Sequence, residues 1–194
     1  MSLALDFWLE IQSSRLDEFE GAHKAVGGSG RGRRFATQQI NRAYAVLLAA
    51  QFQAFCRLLH DECTRALIGS IPSADLQVVA RANFFTGLAM DRGNANPGNI
   101  GSDFGRLGLK LWDELNALNP KNALRNKQLN ELNVWRNANV HEDFRDRGTF
   151  PAGQRTILRL PKVREWRRTC DSLASDMDGL MHGYVGKLMG RPPW

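Results

Sequence analysis

The sequence predicts an all-α protein, a single-domain bundle of about five to six helices with long loops. Three observations carry this. Apolar residues recur at helical spacing over most of the chain. Proline and glycine clusters punctuate it at intervals suited to helices. No stretch shows sustained two-residue alternation apart from a short run, Arg155-Thr-Ile-Leu-Arg-Leu160, that reads as extended. At 194 residues, with 43% hydrophobic and 24% charged side chains, the chain is long enough for one buried core without a disulfide or structural metal. We therefore expect one domain over residues 1–194, with a core at about 3–145 and a closing helix packed on it.

In order along the chain, Leu5, Trp8, Ile11, Leu16 and Phe19 sit among polar residues at helical spacing, so a first helix covers 3 to about 24. It runs into a basic loop, Gly27-Gly-Ser-Gly-Arg31-Gly-Arg33-Arg34. The loop has neither a preceding strand nor a Gly-Lys-Ser/Thr ending, so it is no phosphate-binding fingerprint. From Phe35 to about Ile68 the file Ile40, Tyr44, Leu48, Phe52, Phe55, Leu59 advances by threes and fours amid frequent alanine, which predicts a long central helix.

Ile71-Pro72-Ser73 opens a third helix that carries Leu76, Val79, Phe84 and Leu88 and stops before Arg92-Gly93. Asn94 to Asn99 reads as a loop. Ser102 or Asp103 is a cap for a fourth helix through Leu107, Leu111 and Leu115, and Pro120 separates it from a fifth that runs to about Glu142. Gly148, Pro151, Gly153 and Pro161 mark an irregular connection before a last helix from Lys162 to about Leu188.

The net charge of +6 favours anionic partners, nucleic acid among them. Cys56, Cys63 and Cys170 form no C-x-x-C pair, which points to reduced thiols and a cytoplasmic setting. The longest apolar run, Ala43 to Ala50, falls far short of the roughly 18 residues a membrane span needs, so no membrane partner is expected. Cys56, His60 and Cys63 share a helix face, but the two cysteines lie about 10 Å apart along the axis, and core packing is the better reading. No metal or cofactor is expected. His23 and His182 read as surface or capping residues.

The chemistry concentrates in Arg136-Asn137-Ala138-Asn139-Val140-His141. Asn133, Asn137 and His141 fall in one file of the fifth helix, beside a stripe formed by Leu129, Leu132 and Arg136. Arg136 thus stands at the edge of an apolar face, a costly place for a permanent cation unless an anion meets it. Its two parallel donors suit phosphate oxygens. Histidine serves as general acid or base when a ribose 2′-hydroxyl attacks the adjacent phosphorus. Asn137, four residues before His141, is placed to hydrogen-bond the imidazole and fix its tautomer. The other asparagines of residues 116–139 read mostly as caps and solvated positions.

Arg136-Asn137-x3-His141, late on a helix and followed by Glu142-Asp143, resembles the R-polar-x3-H motif of the HEPN superfamily of small helical bundles. The segment Asn41 to Phe55 is similar to the long second helix of its RiboL-PSP-like branch, and Leu129-Asn-Glu-Leu132 to the leucines that lead into the motif. The likeness spans roughly residues 3 to 145. It implies a HEPN-like fold and a metal-independent endoribonuclease acting as a homodimer, with the motif helices facing each other across a composite cleft. On that model Arg136 holds the scissile phosphate, His141 moves the proton, Asn137 orients one or both, and the products carry 2′,3′-cyclic phosphates.

Such proteins occur in toxin–antitoxin and phage-defence systems, so a neighbouring antitoxin is an implied partner. One position departs from the pattern. Branches regulated by a nucleotidyltransferase carry a tyrosine two residues after the histidine, where this chain has Asp143. Arg33, Arg34, Arg145 and Arg147 are candidate RNA contacts, with a solvated charged loop as the alternative for each. Trp166, among Arg164, Arg167 and Arg168, is either a base-stacking residue or the buried face of the last helix. Two further functions stay open. One is a non-catalytic HEPN-like module that binds RNA, nucleotide or a protein. The other is a plain scaffold in which Arg136 pairs with Glu131 or Glu142.

Overall fold

The computed structural model describes residues 1–26, 34–144, 150 and 157–194, with Arg34 described in its backbone only. Helix dominates, and no strand occurs among the described residues. Residues 145–149 and 151–156 lie outside them, and with them the first two residues of the run read as extended. Ile157 to Arg159 form no strand, and Leu160 already belongs to the last helix. No helix among the described residues is long and apolar enough to cross a membrane.

The elements are α1 (Leu3–Phe7), a π turn (Trp8–Gln12), α2 (Ser13–Val26), α3 (Arg34–Gly69), α4 (Ala74–Phe85), α5 (Ala89–Arg92), α6 (Pro97–Gly105), α7 (Leu111–Leu118), α8 (Asn122–His141) and α9 (Leu160–Met189). The 36-residue α3 is the spine, and α1, α2, α8 and α9 all pack against it. The file expected along it is the core: Tyr44, Leu48, Phe52, Phe55 and Leu59 are buried, and Ile40 is half-buried near its start. Trp8 meets Phe52 and Phe55 edge-on, with centroids at 5.7 and 6.0 Å.

The first helical stretch departs from a plain α repeat. Its π turn places one extra residue in the winding. The buried side therefore passes from Trp8 to Gln12 and Leu16, while Ile11 turns outward.

The expected third helix ends early, at Phe85, and α5 restarts after Thr86-Gly87-Leu88. Ser73 caps α4 as expected, its hydroxyl accepting from the Leu76 amide. Leu76 and Val79 nonetheless face solvent. The stretch read as a loop after Asn94 already holds the start of α6, capped by the Asn96 side chain with Pro97 in the first turn.

Ser102 and Asp103 are thus inside α6 and cap no fourth helix. Asp103 does cap a helix, but through space. Its buried carboxylate accepts the amide hydrogens of Ala89 and Met90 at 2.7 and 2.9 Å, at the start of α5. The break between α6 and α7 falls at Gly108, whose φ of +84° suits glycine. A Cβ there would stand 3.1 Å from the Tyr184 hydroxyl.

Charged side chains tie α2 to α9. Arg164 donates to Glu20 at 2.9 Å, and Arg167 donates to Asp17 at 2.6 Å. Burial alone would push the Glu20 carboxyl up. The hydrogen bond and charge of Arg164, joined by Tyr44 and Arg167, outweigh it and hold the group below the usual range. A depressed carboxylate contributes stability that is fully present above its unfolded value and is lost as pH falls through the folded one. Wild type should therefore lose more stability than Glu20→Gln as pH is lowered from about 5, in parallel urea titrations.

Candidate active site

Leu129 and Leu132 are fully buried on α8 against the core, which fixes the rotation of the helix and sets Arg136 at the edge of that face, half-buried. Trp135 is buried one residue earlier, with its ring centroid 4.8 Å from Phe150 and 6.2 Å from Trp166. Asn133 anchors the same helix from the inside. Its amide nitrogen donates to the carbonyl of Leu129 at 2.9 Å and to that of Ala95, in the turn before α6, at 3.0 Å. Asn122 does so at the start, donating to the Leu115 carbonyl and to Asp176 of α9. Two of the asparagines read among the caps and solvated positions are thus internal fasteners.

The structure brings Arg136 and Asn137 together: Nη1 of the arginine donates to Oδ1 of the asparagine at 3.0 Å. The same oxygen accepts from Nδ2 of Asn94 at 3.1 Å. Among the described residues Arg136 has no carboxylate partner. Glu131 is committed elsewhere, to Lys162 at 2.6 Å and to the Trp166 indole N–H at 3.2 Å.

His141 is the last residue of α8 and is exposed, and its imidazole makes no hydrogen bond to the Asn137 or Arg136 side chain among the described residues. Asn137 instead orients the arginine. Arg136 and His141 are five positions apart, which sets them about 140° apart around the helix. One chain does not point both at the same atom.

Directly after His141 the backbone turns left-handed at Glu142, with φ 52° and ψ 30°. The Glu142 and Asp143 amides both donate to the Ala138 carbonyl, closing the helix end. A side chain in this region carries a steric cost of roughly 1–2 kcal/mol, and such residues cluster at functional sites.

Of the candidate RNA contacts, Arg33, Arg145 and Arg147 lie outside the described residues, and Arg34 opens α3. Trp166 is fully buried, so it is the inner face of α9 and no stacking platform. Arg164 and Arg167, beside it in sequence, are engaged with α2. Cys56, His60 and Cys63 are buried. Burial pushes both thiols up, and the Nε2 atom of His60 lies 3.1 Å from the Asp103 carbonyl oxygen. His23 is partly buried, and His182 meets the Trp194 carbonyl at 3.2 Å.

Sequence reasoning missed Asn94, which reaches Asn137 from 43 residues away and has no local signature. It also passed over Asn139. Three residues after Arg136, its amide nitrogen and oxygen are both buried without a hydrogen-bond partner among the described residues. No family model matches the chain, and neither a similar curated protein nor a similar solved structure was found.

Proposed function

We propose that the chain is a metal-independent endoribonuclease of the HEPN type, with Arg136, Asn137 and His141 as its active residues and two copies needed to complete the site. The observation that carries this reading is the half-buried Arg136, which Asn137 orients and no described carboxylate neutralises. An arginine held in that way is suited to a phosphate diester, whose two free oxygens match its parallel donors. The exposed His141 at the end of the same helix supplies the proton transfer.

In the proposed reaction the histidine of one copy takes the proton of a ribose 2′-hydroxyl. The oxygen attacks phosphorus, the P–O5′ bond breaks, and the protonated histidine returns its proton to the leaving 5′-oxygen. The arginine's positive charge stabilises the dianionic phosphorane that forms between these steps. The divergence of Arg136 and His141 within one chain is met by a twofold arrangement in which each cleft takes its arginine and its histidine from facing helices.

Arg136 and His141 are unlinked in the single chain, which also favours a non-catalytic module that grips RNA, nucleotide or a protein through the arginine. Purified protein incubated with labelled single-stranded RNA in EDTA separates the two. Cleavage with 2′,3′-cyclic phosphate ends is expected. Intact RNA sinks the enzyme reading, and cleavage that needs an added divalent ion points to metal-assisted hydrolysis. On a sizing column the active form should elute as a dimer.

A further inference from the structure

Between α7 and α9 runs an open groove of about 1060 Å³ that the proposed reaction does not use. The Tyr184 hydroxyl donates to the Leu107 carbonyl at 2.7 Å, and the Asn119 side-chain amide donates to Asp176 at 3.3 Å. The two helices therefore run antiparallel, and the groove follows α9 from Ser175 to Leu188, a rise of about 20 Å. At its near end Asp176 also accepts from Asn122, the first residue of α8, at 3.0 Å. His141 is at the other end of that 20-residue helix, about 28 Å away by its rise. The groove and the candidate active site are separate surfaces.

The groove is apolar and laid open. Leu118 of α7 and Leu188 of α9 line it and are more than half exposed, and Leu180 is half-buried. Gly179 and Gly183 line it too, at positions where a Cβ would meet nothing within 4 Å. Glycine inside a helix destabilises it relative to alanine, and no neighbour within the chain needs the space left here. What the space does allow is a close approach to the α9 backbone by another helix, since the side chains at a helix contact set its interaxial distance.

The charges on the groove identify that helix. Lys110 and Lys187 stand toward one end, with Asp113 and Glu114 further along α7 toward the other. All four are exposed, and none forms an ion pair among the described residues. A surface with two cations toward one end and two anions toward the other is complementary to itself when turned end for end. An isologous contact requires such a self-complementary patch, and charge complementarity fixes its register.

We propose that this groove is a self-association surface, on which a second copy of the chain lays its own α7 and α9 antiparallel, with Gly179 and Gly183 of each copy at the crossing. The contact is additional to the one at the motif end of α8 that the ribonuclease reading calls for, and it stands independently of that reading. One crossed helix pair is small beside a standard interface of about 800 Å² per partner, so the association is weak and grows with concentration.

The test is sedimentation velocity of the full chain over a concentration series. The wild-type species is expected to double in mass as concentration rises, from monomer to dimer, or from dimer to tetramer where the α8 contact also forms. Lys110→Glu/Lys187→Glu makes the groove acidic throughout, and Asp113→Lys/Glu114→Lys makes it basic. Each variant alone is expected to self-associate about ten- to a hundred-fold more weakly, because like charges then face each other. Mixed in equal amounts the two should recover the doubling, which unfolded chains would not do. Gly179→Gln fills the crossing without meeting a neighbour in its own chain, so it should abolish the doubling with no fall in melting temperature. His141→Ala should double as wild type does. A constant mass for wild type would leave the groove to some other partner and overturn the proposal. Undiminished doubling in Gly179→Gln or in either charge variant would do the same, as would a mixture that fails to recover it.

Discussion

The His141→Ala variant is expected to cleave single-stranded RNA about 10²–10⁴-fold more slowly than wild type, as removal of a general acid or base does. Its melting temperature should stay within about a degree. The imidazole is exposed and makes no hydrogen bond among the described residues, so its loss removes no packing. Arg136→Lys is the companion variant. It keeps the charge but gives up the paired donors, so it should lose most of the activity and much of the contact with Asn137. Single-turnover rates on one RNA, with thermal melts of each variant, check both. Undiminished cleavage by His141→Ala would remove the histidine from the mechanism.

The largest stability effect is expected at Trp166. Trp166→Ala removes a fully buried indole that touches Trp135 of α8 and donates to Glu131. The cost should be about 3–5 kcal/mol, a fall in melting temperature of roughly 6–20 °C for a chain of this size. Trp166→Phe keeps most of the apolar volume and should lose clearly less. Equal losses in the two would mean that the hydrogen bond to Glu131, rather than the packing, holds α8 to α9. Because Trp166 meets Trp135 and Glu131 on the helix that carries Arg136, RNA cleavage should fall in the alanine variant as well, more modestly than in His141→Ala.

The long helices were legible because their packing is repetitive. Along α3 the file from Tyr44 to Leu59 is continuous, and burial follows it residue by residue. The same logic failed at Trp8–Gln12, where a π turn shifts the phase and sends Gln12 inward in place of Ile11. Asp103 was readable as a cap but not as a cap for α5. A side chain that reaches a helix 13 or 14 residues away leaves no local spacing to detect. On α8 the positions of Leu129, Leu132 and Arg136 came straight from periodicity. The hydrogen bond from Asn94 and the buried amide of Asn139 depend on where other elements pass, which a run of asparagines does not encode.

The contact between Trp8 and Asp171 joins residues 163 positions apart in the chain. On a ribosome adding about 5–20 residues per second, that gap is roughly ten to thirty seconds. For that interval the indole that later closes against α3 and α9 has only part of its final surroundings, and the apolar file of α3 lacks the helix that covers it. Shielding of the nascent chain by a chaperone over that window is therefore expected to raise the yield of folded protein more than slower cooling or dilution after release.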